Sequence, residues 1–78
     1  MHDSLKRVLT FNEDIWIYDE PNQCAILRKT FDTGRVLYAA MAYDGFGWLC
    51  IDVEQTDEHG AQFMYECLKK AINAARSV

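Results

Sequence analysis

The chain has 78 residues, half of them apolar, with two Trp, four Tyr, four Phe, one Pro and four Gly. That is the composition of a single folding domain over 1–78, not of a disordered tail, although a chain this short covers only about 60% of the surface it exposes when unfolded. Eight basic against twelve acidic side chains leave a net charge of −4, which disfavours phosphate backbones and anionic membranes. No apolar run approaches the roughly 20 residues of a membrane span, and Met1 to Phe11 is too polar for a signal peptide, so a cytoplasmic location is expected.

The N-terminal segment has two readings. Val8, Leu9 and Phe11 extend the first strand through a bend at Asn12-Glu13, which gives a strand over about 7–18. Alternatively, Asp3 or Ser4 caps a short helix that ends near Leu9. The strand is the expectation. Its second half, with Ile15, Trp16 and Ile17, is β-branched and aromatic and stops at the turn Asp19-Glu20-Pro21-Asn22.

A second strand follows over about 23–31 and ends at Asp32-Thr33-Gly34, where the glycine supplies a positive φ. The third, over about 35–43, is apolar on both faces: Leu37, Ala39, Met41 and Tyr43 point one way, Val36, Tyr38, Ala40 and Ala42 the other. Asp44-Gly45 breaks it, and a fourth strand over about 47–54 carries Trp48, Leu49, Cys50 and Ile51. Such short connections join antiparallel neighbours in chain order.

From Thr56 the period becomes helical. Thr56 or Asp57 caps a helix over about 57–77, with Asp57 and Glu58 at its positive end and Lys69, Lys70 and Arg76 toward its negative end. The fold class is therefore α+β: a four-stranded antiparallel β-meander followed by one C-terminal α-helix packed on the sheet. At 100° per residue, Ala61, Met64, Tyr65, Leu68, Ile72 and Ala75 form a bulky stripe suited to the sheet. Phe63, Cys67, Ala71, Ala74 and Val78 form a second stripe with a small middle, the candidate dimer interface. One helix covers one side of a sheet, so the other side of the third strand is expected to meet another chain or a ligand, most simply a second copy.

Catalytic chemistry is hard to find. His59 lies in the first helical turn beside two acids, and its direction differs from that of Cys67 by about 80°, a poor aim for a Cys/His pair. Cys24, Cys50 and Cys67 lack Cys-x-x-Cys spacing and are expected as reduced, buried thiols. Gly45 and Gly47 belong to a hairpin, not to a phosphate loop, and Asp52, Glu54, Asp57 and Glu58 lack the spacing of a calcium loop. No cofactor, no metal and no enzymatic activity are expected.

The remaining lead is a surface. On a regular strand Asp52 and Glu54 share a face with Trp48 and Cys50, so acids border an aromatic patch. Trp16 and Tyr18 are likewise flanked by Asp14, Asp19 and Glu20, at the opposite edge of the sheet. Trp16, Tyr18, Trp48, Asp52 and Glu54 are the candidate partner-binding residues. They point to a protein-interaction module, an adaptor, chaperone-like subunit or inhibitor, that acts as a homodimer on a basic protein partner.

A sharper version is a phage-type inhibitor that occupies the nucleic-acid site of a host complex by matching its charge. In the second class, Trp16, Tyr18, Tyr38, Tyr43 or Trp48 stack on single-stranded nucleic acid beside Arg28, Lys29 and Arg35. Four strands and then a helix is an order similar to that of the single-strand-binding coactivators, which dimerise through their helices. That resemblance implies single-strand binding, but the family's basic and glycine motif pattern is missing from this chain.

Overall fold

The sheet is built by its turns. In the computed structural model, which describes residues 2–77, strands β1 (Glu13–Asp19), β2 (Cys24–Thr30), β3 (Val36–Tyr43) and β4 (Trp48–Gln55) pair antiparallel in the order β1-β2-β3-β4. At the β1–β2 turn the Asp19 carboxylate accepts from both the backbone and the side-chain nitrogen of Asn22. At the β3–β4 turn the Asp44 carboxylate accepts from the Phe46 and Gly47 amides at 2.8 Å, around Gly45 at φ 97°. An aspartate that satisfies the amides of its own turn, next to a residue free to adopt positive φ, explains why these hairpins close where they do.

Two helices flank the sheet: α1 (His2–Lys6) and α2 (Glu58–Arg76). Asp57 is the N-cap of α2 and accepts from the Gly60 amide at 2.9 Å. The bulky stripe faces the sheet except at Ala75, which is exposed. Ala61, Met64 and Leu68 are buried and pack with Cys24, Ile26, Tyr38 and Ala40, and Tyr65 and Ile72 flank them. The four-stranded antiparallel sheet with a C-terminal helix against β2 and β3 is thus as the periodicity implies.

The N-terminus departs from the expected strand. Residues 7–12 carry no strand, and β1 begins only at Glu13. After α1 the chain turns through Leu5, Lys6, Val8 and Leu9. It then reverses at Asn12, whose φ is 62°, while Glu13 ties the bend by accepting from the amide and hydroxyl of Thr10.

The physical cause is Leu5, which is 0% exposed and packs on Ala25, Leu27 and Met41 on the face opposite α2. Burying a leucine there stabilises the fold by about 1.5–3 kcal/mol, and a strand extension would have left that apolar floor bare. The far face of the sheet is therefore covered in part by the chain's own N-terminus, which weakens one of the two grounds for expecting a second copy.

Both edge strands contain a bulge. Ile15 pairs with Leu27 and Ile17 with Ile26, so Trp16 has no partner. Ala40 pairs with Asp52 and Met41 with Cys50, so Ile51 has none. An extra residue reverses which face the following side chains take. Ile15 and Tyr18 accordingly join the α1-side core, whereas Trp16 and Ile17 join the α2-side core.

Candidate functional site

The bulge at Ile51 breaks the acidic-aromatic patch expected on β4. Trp48 and Cys50 pair with Tyr43 and Met41 and lie on the α1 side. Asp52 and Glu54 pair with Ala40 and Tyr38 and lie on the α2 side. The shared face predicted from simple alternation is corrected by that one unpaired residue.

The aromatic candidates divide in the same way. Trp16 stacks edge-on with Tyr38, ring centroids 5.3 Å apart, within the α2-side core. Tyr18 and Trp48, from opposite edge strands, come within 6.5 Å of each other, and the small Ala25 between them leaves room for large rings to lean inward. Tyr43 and His2 complete this cluster at 5.4 Å from Trp48 and 4.8 Å from Tyr18. The Trp48 indole Nε1–H donates to Ser4 Oγ at 3.1 Å. Tyr18 and Trp48 therefore grip α1: their strands lie at opposite edges of the sheet as expected, but the rings meet across it.

The basic residues suited to a nucleic-acid reading are engaged within the chain. Arg28 makes an ion pair with Asp14 at 3.0 Å, Arg35 donates to Gln55 at 2.9 Å, and Lys29 lies over the Phe31 ring. Among the described residues no group of three or more His, Cys, Asp or Glu is placed to hold a metal ion, and no helix is long and apolar enough to cross a membrane.

The other face of the molecule also carries exposed apolar side chains. The helix α2 is drawn toward β1 and the β1–β2 turn: the Tyr65 hydroxyl donates to Asp19 at 2.6 Å, and Arg76 donates to the Pro21 and Asn22 carbonyls at 3.1 and 3.0 Å. Burial would push the Asp19 carboxyl up, but the hydrogen bonds from Tyr65 and Asn22 outweigh it and hold it below its ordinary value. The same bond, with burial, pushes the Tyr65 hydroxyl up to about 12.

With the helix anchored on that side, β4 lies uncovered. Leu49, Ile51 and Val53 are 49%, 56% and 51% exposed, and Phe63 on the facing flank of α2 is 70% exposed. Between β4 and α2 runs an apolar groove of about 270 Å³, walled by Ile51, Phe63, Cys67 and Ala71, with Asp52 and Glu54 on its rim.

The second helical stripe is thus exposed, as a contact surface must be: Phe63, Cys67, Ala71 and Ala74 all lie open, while Val78 falls outside the described residues. The cysteines correct a simpler expectation. Only Cys24 is buried, and Cys50 and Cys67 are exposed, because β4 and this flank of α2 lack the cover that the pattern implied. Burial, with the Asp19 charge nearby, pushes the Cys24 thiol up to about 11. The groove itself was not legible in the sequence. Its only trace was a helix with two apolar stripes and one sheet to lie on. Compared with known protein families, with curated proteins and with solved structures, the chain matches none.

Proposed function

We propose that this chain is a non-enzymatic protein-interaction module whose contact surface is the open flank formed by β4 and α2. The observation that carries the reading is the set of exposed apolar side chains around one groove, Ile51 on the strand and Phe63, Cys67 and Ala71 on the helix, with Leu49 and Ala74 exposed on the same two elements. Folded monomers rarely leave contiguous apolar patches of this kind without a use for them. Exposed sulfur and small side chains beside one large aromatic suit close packing against a partner backbone.

A homodimer is the second reading, favoured by β4 itself. It is an eight-residue edge strand with exposed apolar residues on both faces, and such an edge is a ready site for pairing with a copy. The Ile51 bulge and the charges of Asp52 and Glu54 restrain that pairing.

Sedimentation velocity across a hundredfold concentration range, with wild type, Phe63→Ser and Ile51→Ser, tests both readings alongside affinity capture. The module reading expects both variants to melt as wild type does and to lose bound partner or self-association. If both keep every association of the wild type, the β4–α2 flank is not the contact surface.

A further inference from the structure

Resting on the interaction-module reading, we infer that the β4–α2 groove takes a basic amphipathic helix of another protein. Its apolar ridge would lie on Ile51, Phe63 and Ala71, and its lysine or arginine flank on Asp52 and Glu54. The length fits. Phe63 to Ala71 spans about 12 Å of helix axis at 1.5 Å per residue, roughly two turns of a guest helix, enough for a pair of apolar side chains at i and i+4. The α2 wall is low there, since Cys67 and Ala71 are small, so a second helix can approach to a normal interaxial distance.

Charge selects the guest. Asp52 and Glu54 stand two residues apart on one strand face, roughly 7 Å from each other. Both are exposed, neither has a basic ion-pair partner among the described residues, and no Lys, Arg or His lines the groove. An apolar trough with carboxylates on its rim is complementary to a cationic amphipathic segment, and the net charge of −4 steers such a partner inward.

The same charges argue against a second copy in this groove. A two-fold contact presents the same patch from both sides, so residues near the axis meet their own kind. Here the groove's carboxylates would be brought toward their own kind, with no Lys, Arg or His in its lining to separate them. A phosphate backbone is repelled for the same reason.

The test is fluorescence anisotropy at low and physiological salt with a labelled peptide of leucine and lysine at helical spacing, about five turns long. Its sequence-scrambled isomer and a leucine-glutamate analogue serve as controls. The proteins are wild type, the double variant Asp52→Asn/Glu54→Asn, Phe63→Ser, and Asp3→Asn/Asp32→Asn, which removes the same charge elsewhere.

The leucine-lysine helix is expected to bind wild type best, and to bind Asp52→Asn/Glu54→Asn and Phe63→Ser about tenfold more weakly, the scale of two lost surface ion pairs in the first and of one lost apolar contact in the second. Asp3→Asn/Asp32→Asn should leave it within about twofold. Equal binding to every variant, or equal binding of the scrambled isomer, would mean attraction to bulk charge and would overturn the site. A leucine-glutamate helix that binds as well would overturn the basic guest. If no peptide binds while wild type sediments as a dimer that Phe63→Ser dissolves, the occupant is a second copy and the inference fails with the interaction reading intact. If no peptide binds and Phe63→Ser changes no association, both fail together.

Discussion

The Tyr65 hydroxyl and the Asp19 carboxylate, 46 residues apart in the chain, lie 2.6 Å from each other. That bond, with the two from Arg76 to the β1–β2 turn, sets α2 toward β1 and away from β4. The open groove on the other flank is the geometric consequence.

Tyr65→Phe should therefore lower stability near neutral pH by about 1–2 kcal/mol, the scale of a partly exposed hydrogen bond to a charged group. Asp19 has a lowered folded value, so its contribution is present above the unfolded carboxyl value of about 3.9 and is lost as pH falls through the folded one. Denaturant unfolding of wild type and variant should thus converge in acid. At the alkaline end the sign reverses. Tyr65 is raised to about 12, so its contribution holds below about 10, the unfolded tyrosine value, and fades as pH rises toward 12. A difference between the two proteins that stays constant down to strong acid would show that Asp19 is not the group coupled to Tyr65.

Leu5 seals the far face of the sheet, and Leu5→Ala is expected to cost about 2–4 kcal/mol, as for a fully buried leucine. The freed face should also bind a hydrophobic dye. Trp48→Phe keeps an aromatic ring but removes the donor to Ser4 together with part of the indole's packed volume, at a cost of about 1–3 kcal/mol. Melting curves that move by less than a degree for Leu5→Ala would mean that α1 does not cover the sheet.

Thiol reactivity reads the uneven covering of the molecule directly. In the native protein Cys50 and Cys67 should react rapidly with an aromatic disulfide reagent at pH 8, and Cys24 only on unfolding, because it is buried and its thiolate is disfavoured. Three equally fast thiols would contradict the packing of β2 beneath α2.

Gly60 lies inside α2, where alanine normally gains about 1 kcal/mol over glycine. Here a Cβ would collide with the Thr56 side chain. Gly60→Ala is expected to lower stability by about 1–2 kcal/mol, as overpacking does, and Thr56→Gly in the same chain should recover much of the loss. A more stable Gly60→Ala protein would mean that the loop before α2 yields without cost.

Much of this architecture is written locally. The Asp44-Gly45 break, the Asp57 cap, the alternation of β3 and the two stripes of α2 follow from a residue and its near neighbours, because turn chemistry, capping and side-chain period act over a few positions. The candidate residues on α2 kept their exposed placement for that reason.

What the tertiary structure decided are the outcomes of competition for space. Leu5 won the floor made by Ala25, Leu27 and Met41, so the N-terminus became a helix and a turn instead of strand. Trp16 and Ile51 were squeezed out of register, and each reversed the faces that follow it, separating Asp52 and Glu54 from Trp48 and bringing Tyr18 to it. A period of two assigns faces only while no residue is added, and which residue bulges depends on the volumes across the sheet. Those volumes belong to residues distant in the chain, beyond the reach of any local pattern.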